Sequence, residues 1–202
     1  MIGHDIIDLN YQDHPSRWKE ERYWRKVLVK EELAWLKKQD NPFRVFLICW
    51  AIKEAAYKMV CNITPKHLFI PKKFIINELG NIKYYDSIYF ILNSPIGELV
   101  AKVRTNSTFI QATVSLDKGL LHQSHSQVFP LAASGYPLQS SETRKVILKH
   151  FSSRSSFDQR NLEIRKRNSL PALYISGNEA PIDISISHHG HWGSFAYVDS
   201  PI

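Results

Sequence analysis

The stretch WAIKEAAYK, residues 50–58, decides the fold. It continues the unbroken apolar run VFLICWAI, residues 45–52, and so places Lys53, Glu54 and Lys58 beside a hydrophobic core. On a helix, Glu54 and Lys58 are four apart and share a face, while Lys53 projects about 100° away. An i,i+4 ion pair would account for Glu54 and Lys58 alone, at a few tenths of a kcal/mol. The location argues for more. Burying a carboxylate and two ammonium groups costs several kcal/mol unless partners are present. A divalent metal and a polyphosphate would be such partners.

Outward from this stretch, the helix is expected to start at Asn41 or Pro42, since proline suits a first turn, and to run through Val60. Upstream, Trp24, Leu28, Leu33, Trp35 and Leu36 interleave with charges, which predicts an amphipathic helix over residues 18–38. Downstream, KKFIIN, SIYFIL, GELVAKVRT and FIQATVSL are strand candidates, with Gly80-Asn81 and Ser94-Pro95 as turn signals. Residues 119–141, rich in Ser, Gly, Pro and His without a period, are expected to be a linker. A short basic helix, ETRKVILKHF, and the strands NLEIRKR, ALYI, DISISHH and GSFAYV follow. The fold class is α+β, with helices early and antiparallel strands later in each half.

The 202 residues, 44% of them hydrophobic, suffice for one domain or two small halves. The longest apolar run is far too short to span a bilayer, and MIGHDIID lacks the basic and apolar regions of a secretory leader. Cys49 and Cys61 have no metal-motif spacing. A reducing cytoplasm is the expected compartment, with no membrane partner. A formal charge of +7 points to an anionic partner, whether nucleic acid, nucleotide or acidic protein.

Two further clusters carry chemistry. In IGHDIIDL, Gly3 permits close backbone approach and Asp5 follows it, with Asp8 three residues on. In SISHHGHWGSFAYV, His188, His189 and His191 invite a zinc reading. Adjacent strand side chains point apart, however, and no HExxH or CxxC accompanies them. Ser187 and His188 before a glycine turn offer instead a hydroxyl and an imidazole to a phosphate.

Taken together, G-x-D at residues 3–5, W-x-x-K-E-A-x-x-K at 50–58 and S-I-S-H at 185–188 resemble the 4′-phosphopantetheinyl transferase superfamily. Their order is that of the holo-acyl-carrier-protein synthase type. VKEELAWL and NLEIRKRNSLPALYI are similar to further stretches of that family. The resemblance implies transfer of phosphopantetheine from coenzyme A to a serine of an apo acyl carrier protein, releasing adenosine 3′,5′-bisphosphate. It implies Asp5 and Glu54 as ligands of Mg²⁺, with Mn²⁺ as the alternative ion. It assigns Lys58 to the pyrophosphate and leaving group, and Lys53 to the phosphates. Glu54, directly or through a metal-bound water, would take the serine proton. Ser187 and His188 would bind the nucleotide end of coenzyme A at its 3′-phosphate. Carriers are usually acidic, which suits the cluster Arg17, Lys19, Arg22, Arg25 and Lys26.

The chain also departs from the family. Ile7 stands where the larger, surfactin-synthetase-activating type has a third acidic ligand, and Asp8 matches an acidic position of the small type. Ser169-Leu170-Pro171 replaces a Gly-Lys-Pro, which leaves Arg144, Lys145, Lys166 and Arg167 as substitutes for the missing lysine. The length implies two similar halves forming a pseudo-dimer in permuted order. Residues 1–118 would carry the metal site and 142–202 the Ser-His strand, so a monomer would suffice; were the middle a mere insertion, a trimer would be expected. The competing readings are a non-catalytic coenzyme A- or carrier-binding relative and a basic nucleic-acid-binding module. No helix-turn-helix, RNP or zinc-finger pattern supports the latter, so nucleic acid is not the expected partner.

Overall fold

A computed structural model describes residues 1–12, 14–64, 68–77, 87–132, 135–154, 158–168 and 170–199. The chain opens on strand β1 (Ile2–Asp8), followed by helices α1 (Glu21–Val27), α2 (Lys30–Leu36) and α3 (Pro42–Ile63). Strands β2 (Ile75–Ile76), β3 (Ile88–Ser94), β4 (Gly97–Thr105) and β5 (Phe109–Ser115) come next. Helix α4 (Lys118–Gln123), strand β6 (His125–Pro130) and helix α5 (Tyr136–Arg154) lead into β7 (Leu162–Arg167), β8 (Leu170–Ile175), β9 (Asn178–Glu179), β10 (Ile182–His189) and β11 (Trp192–Asp199). The α+β class is as expected. The Gly80-Asn81 turn and Ser169 lie outside the described residues.

Asn41 starts α3, its side-chain oxygen accepting from the amide of Arg44 at 3.0 Å, with Pro42 in the first turn. Leu47, Ile48, Ala51, Ile52, Ala55 and Met59 are buried in the first core with residues of the sheet β1-β5-β4-β3-β2, whose described pairings are all antiparallel, while buried Phe46 packs on Tyr23 and Trp24 of α1. Strand β1 comes so near α3 that a Cβ on Gly3 would collide with the Ala55 carbonyl and sit 2.6 Å from the Met59 amide nitrogen. The region expected as one amphipathic helix, 18–38, is broken: Leu28 and Val29 are extended between α1 and α2. Glu32 causes the restart, since its carboxylate turns back to accept the Val29 amide at 2.9 Å.

A second core forms from Phe129, Ile147, Phe151, Leu162, Leu173, Ile184, Phe195 and Tyr197. It lies among α5, the sheet β10-β11-β6 and the sheet β7-β8-β9. Here the linker expectation is corrected. Residues 119–141 hold most of α4, all of β6, which pairs antiparallel with β11, and the start of α5. Strand β6 escaped notice because it is an edge: His125, Ser126 and Gln127 are exposed and only Phe129 is buried. Helix α5 starts six residues before Glu142 because Thr143, Ile147 and Phe151 alone are buried, a stripe too narrow to mark its ends.

The two sheets share a wiring. In the first, β1 leads to α3 and the last strand, β5, returns to pair with β1. In the second, β6 leads to α5 and the last strand, β11, returns to pair with β6. Along the junction, β10 runs beside the outer edge of β1 and caps its amides with side chains. His4 N donates to Ser185 Oγ (2.9 Å), Ile6 N to Ser187 Oγ (3.3 Å) and Asp8 N to His189 Nδ1 (3.1 Å). The two-residue spacing of those partners is the strand period. Among the described residues, no helix is long and apolar enough to cross a membrane.

Candidate active site

Three elements meet at the junction. Strand β1 brings Asp5, α3 brings Glu54 and Lys58, and β10 brings Ser187 and His188. Lys58 Nζ donates to Asp5 Oδ1 at 2.8 Å and to the His4 carbonyl at 2.9 Å. Ser187 Oγ donates to the same Asp5 oxygen at 2.8 Å, across 182 positions of sequence. Asp5 Oδ1 is therefore shared by a lysine and a serine, while Asp5 Oδ2 and both Glu54 oxygens accept no hydrogen bond from the described residues. Burial first, and the charge of Asp5 second, push the Glu54 carboxyl up to about 7, against the pull of Lys58. Glu54 therefore changes charge near neutral pH.

Lys53 is elsewhere, and the expectation that it binds phosphates is corrected. Its side chain is fully buried and donates to both Glu32 oxygens at 2.9 Å, to the Pro71 carbonyl at 3.2 Å and to the Phe74 carbonyl. Glu32 in turn accepts the Ile76 amide at 2.9 Å as well as that of Val29. Every donor of the ammonium is used inside the protein. One residue's rotation on α3 separates this interior pair from the open carboxylate of Glu54.

Residues 1–83 match the family model of the 4′-phosphopantetheinyl transferase superfamily. The matched segment holds Asp5, Glu54 and Lys58 and stops well short of Ser187. No curated protein matches the chain. The family match supports phosphopantetheinyl transfer as the general chemistry, with coenzyme A as donor, a carrier protein as acceptor and a divalent metal typical of the family.

The donor set suits such a metal. Mg²⁺ is usually held by one or two carboxylates together with substrate phosphates. Asp5 and Glu54 are two carboxylates with unused oxygens, and among the described residues no group of three or more His, Cys, Asp or Glu gathers. Ile7, at the position of the third acidic ligand in the larger type, is 1% exposed in the first core. Asp8 is equally buried but turned to the β10–β11 turn, where it accepts the His191 amide at 2.8 Å and the Asn10 amide at 2.9 Å.

His188 faces a different space. Burial and the charge of Lys58 lower its pKa, so it stays neutral near pH 7. Its ring lies 4.8 Å from that of Tyr136. Both line a cavity of about 180 Å³ with Ser140, Arg144, Lys166 and Pro171. Two of the four candidates for the missing lysine are thus present, Arg144 and Lys166, whereas Arg167 pairs with Glu179. Tyr136 belonged to the expected linker and carried no sequence signal.

His4 is structural. Ser194 Oγ gives its proton to the Gln127 carbonyl (2.8 Å), so His4 Nε2 donates to Ser194 (2.7 Å) and Nδ1 accepts from Thr113 (3.0 Å). Burial, then Lys58, lower its pKa to about 3. His189 is likewise pushed down to about 4 by burial and His14, and stacks on His14 at 5.0 Å. Of the five basic residues near α1, Arg22 is tied to Glu20 and Arg25 to Glu21, while Arg17 lies over Tyr23 and Lys19 over Phe43.

Proposed function

We propose that this protein transfers 4′-phosphopantetheine from coenzyme A to a serine of an apo acyl carrier protein, as a Mg²⁺-dependent holo-acyl-carrier-protein synthase. The observation that carries the reading is the convergence of Lys58 and Ser187, a residue beyond the family match, on one oxygen of Asp5, with the Glu54 carboxylate near enough for the charges of Asp5 and Lys58 to act on it. Asp5 and Glu54 would hold the metal, which when bound neutralises the pyrophosphate charge. Glu54 would accept the proton of the attacking serine hydroxyl. The serine oxygen bonds to the phosphopantetheine phosphorus as the pyrophosphate P–O bond breaks. Lys58 donates hydrogen bonds to the departing phosphate oxygen.

The cavity beside His188 supports a second anion subsite. Arg144 and Lys166 supply positive charge there for the 3′-phosphate, and Tyr136 and Pro171 offer flat apolar surface for the base. Ser187 belongs on the Asp5 side and His188 on the cavity side, so the pair links the two phosphate positions. The common wiring of the two sheets supports two similar halves in permuted order, the second starting at β6. The site then lies between halves of one chain, and a monomer suffices.

The deciding experiment is intact-mass measurement of a panel of apo acyl carrier proteins incubated with the protein, coenzyme A and Mg²⁺. A gain of one phosphopantetheine mass, lost on chelation and with Glu54→Ala, is expected. No gain on any carrier together with no coenzyme A binding overturns the proposal. The subsite is checked by Arg144→Ala with Lys166→Ala, which raises KM for coenzyme A about tenfold or more and leaves that for dephospho-coenzyme A unchanged.

A further inference from the structure

We infer that Gln139 is a positioning residue that fixes which nitrogen of His188 holds the ring proton, so that the 3′-phosphate subsite takes its anion together with one proton. The inference rests on the transferase reading above. Gln139 stands in the first turn of α5, within the stretch expected to be a linker. Its side-chain amide reaches back to the β10–β11 turn and makes two contacts there. Nε2 lies 2.7 Å from the Gly190 carbonyl, which can only accept, so this atom is the amide donor. Oε1 then faces His188 Nδ1 at 3.3 Å. An amide oxygen also only accepts, so Nδ1 must carry the hydrogen.

The neutral ring therefore keeps its lone pair on Nε2, which makes no hydrogen bond to the described residues. The ring lines the cavity that holds Arg144 and Lys166. Charged and titratable groups reach it from several elements. Lys58 on α3 and Asp5 on β1 act on it through space, Arg144 on α5 and Lys166 on β7 share its cavity, and neighbouring His189 on β10 is neutral. Three cations against one carboxylate oppose a further positive charge on the ring. A phosphate dianion reverses that balance, and its oxygen meets a bare nitrogen lone pair. Two lone pairs repel unless a hydrogen lies between them. Whether that hydrogen sits on Nε2 or on the phosphate oxygen, the complex holds a proton that neither free partner carries above neutral pH, since a phosphate monoester loses its second proton at about pH 6.

The test is calorimetric titration of the full chain at pH 7.5 with coenzyme A and with dephospho-coenzyme A, both with Mg²⁺, in buffers of different ionisation heat. Both ligands carry the pyrophosphate, so protons exchanged at Glu54 cancel in the difference. The wild type should take up at least about half a proton more with coenzyme A, and its preference for coenzyme A should fall about threefold or more per pH unit. Nitrogen–proton correlation spectra of the unliganded wild type should show His188 protonated at Nδ1 alone. Gln139→Leu frees the ring to present an Nε2–H donor, so the extra proton uptake and the pH dependence should vanish. A mere tether to Gly190 would instead leave the proton count unchanged in that variant.

Three results overturn the inference and leave the transferase reading standing: an Nε2–H ring in the wild type, no extra proton with coenzyme A although carriers are modified, or undiminished uptake in Gln139→Leu. If coenzyme A neither binds nor is consumed, both fall.

Discussion

Two lysines on one helix, five residues apart, have opposite fates. Around Lys53, every charge is answered: the ammonium has four oxygen contacts, and Glu32 accepts two backbone amides besides. Around Lys58 the account stays open, because Asp5 keeps one oxygen and Glu54 both oxygens unused among the described residues. The interior pair is surrounded by α2, α3 and the segment leading into β2, so satisfaction came from elements beside the first sheet. The junction site is bounded by a strand of the sheet β10-β11-β6, which contributes a hydroxyl but no cation. Satisfied buried charge holds a fold together; unsatisfied charge binds what the solution supplies.

The largest test of this contrast is Lys53→Ala. It strands the Glu32 carboxylate in the core and should cost roughly 3–5 kcal/mol in denaturant melts, while Lys58→Ala, at a partly exposed site, should cost under about 1 kcal/mol. Equal losses would erase the distinction between the two regions.

Glu54→Gln separates stability from activity. Transfer should fall by about a thousandfold or more if Glu54 has the proposed roles of base and metal ligand. The metal-free protein should meanwhile gain stability. A carboxyl raised from 4.5 to about 7 favours the folded state only while neutral, and this contribution is lost as pH rises through 7. At pH 8 the glutamine variant should therefore melt later, by on the order of 2 kcal/mol. A variant less stable than wild type at pH 8 without metal would show that Glu54 is answered after all.

Acid provides the next test. His4 and His189 are held neutral in the folded protein, with values lowered from 6.5 to about 3 and about 4. Their contribution is complete above 6.5 and is lost as pH falls towards those values, about 2 kcal/mol each by pH 5. Thermal melts from pH 7 to 5 should show the loss, and His189→Phe should flatten it. Last and smallest, Ser187→Ala removes one donor to Asp5 and one acceptor from Ile6, costing about 1–2 kcal/mol. A larger effect on transfer than on stability is expected from steady-state kinetics.

Much of this was legible in the chain. The apolar run before Lys53 foretold a buried helix, and Asn41-Pro42 foretold its start. The glycine at residue 3 foretold close approach of β1. The meeting of Asp5, Glu54 and Lys58 with Ser187 followed from motif order rather than from any local pattern. What could not be read depended on distant partners. Lys53 looked available because its carboxylate lies 21 residues earlier and its carbonyl partners 18 and 21 residues later. Strand β6 looked like a linker because an edge strand owes little to apolar alternation. The break at Leu28-Val29 hid because α1 buries only Val27 and α2 only Glu32, Leu33 and Leu36, too few positions to mark where either helix ends.

The ladder from β10 to β1 has a consequence in time. The groups that cap His4, Ile6 and Asp8 are made 181 residues after them, an interval of roughly 10 to 40 s at ordinary synthesis rates. Until β5 is made both edges of β1 are bare, and from then until β10 is made one edge stays so. Asp5, Glu54 and Lys58 are all present early, yet Asp5 lacks the hydroxyl that steadies it until β10 arrives. On the transferase reading, turnover would begin only once the late strand closes the seam, and an unfinished chain would neither consume coenzyme nor mark its acceptor.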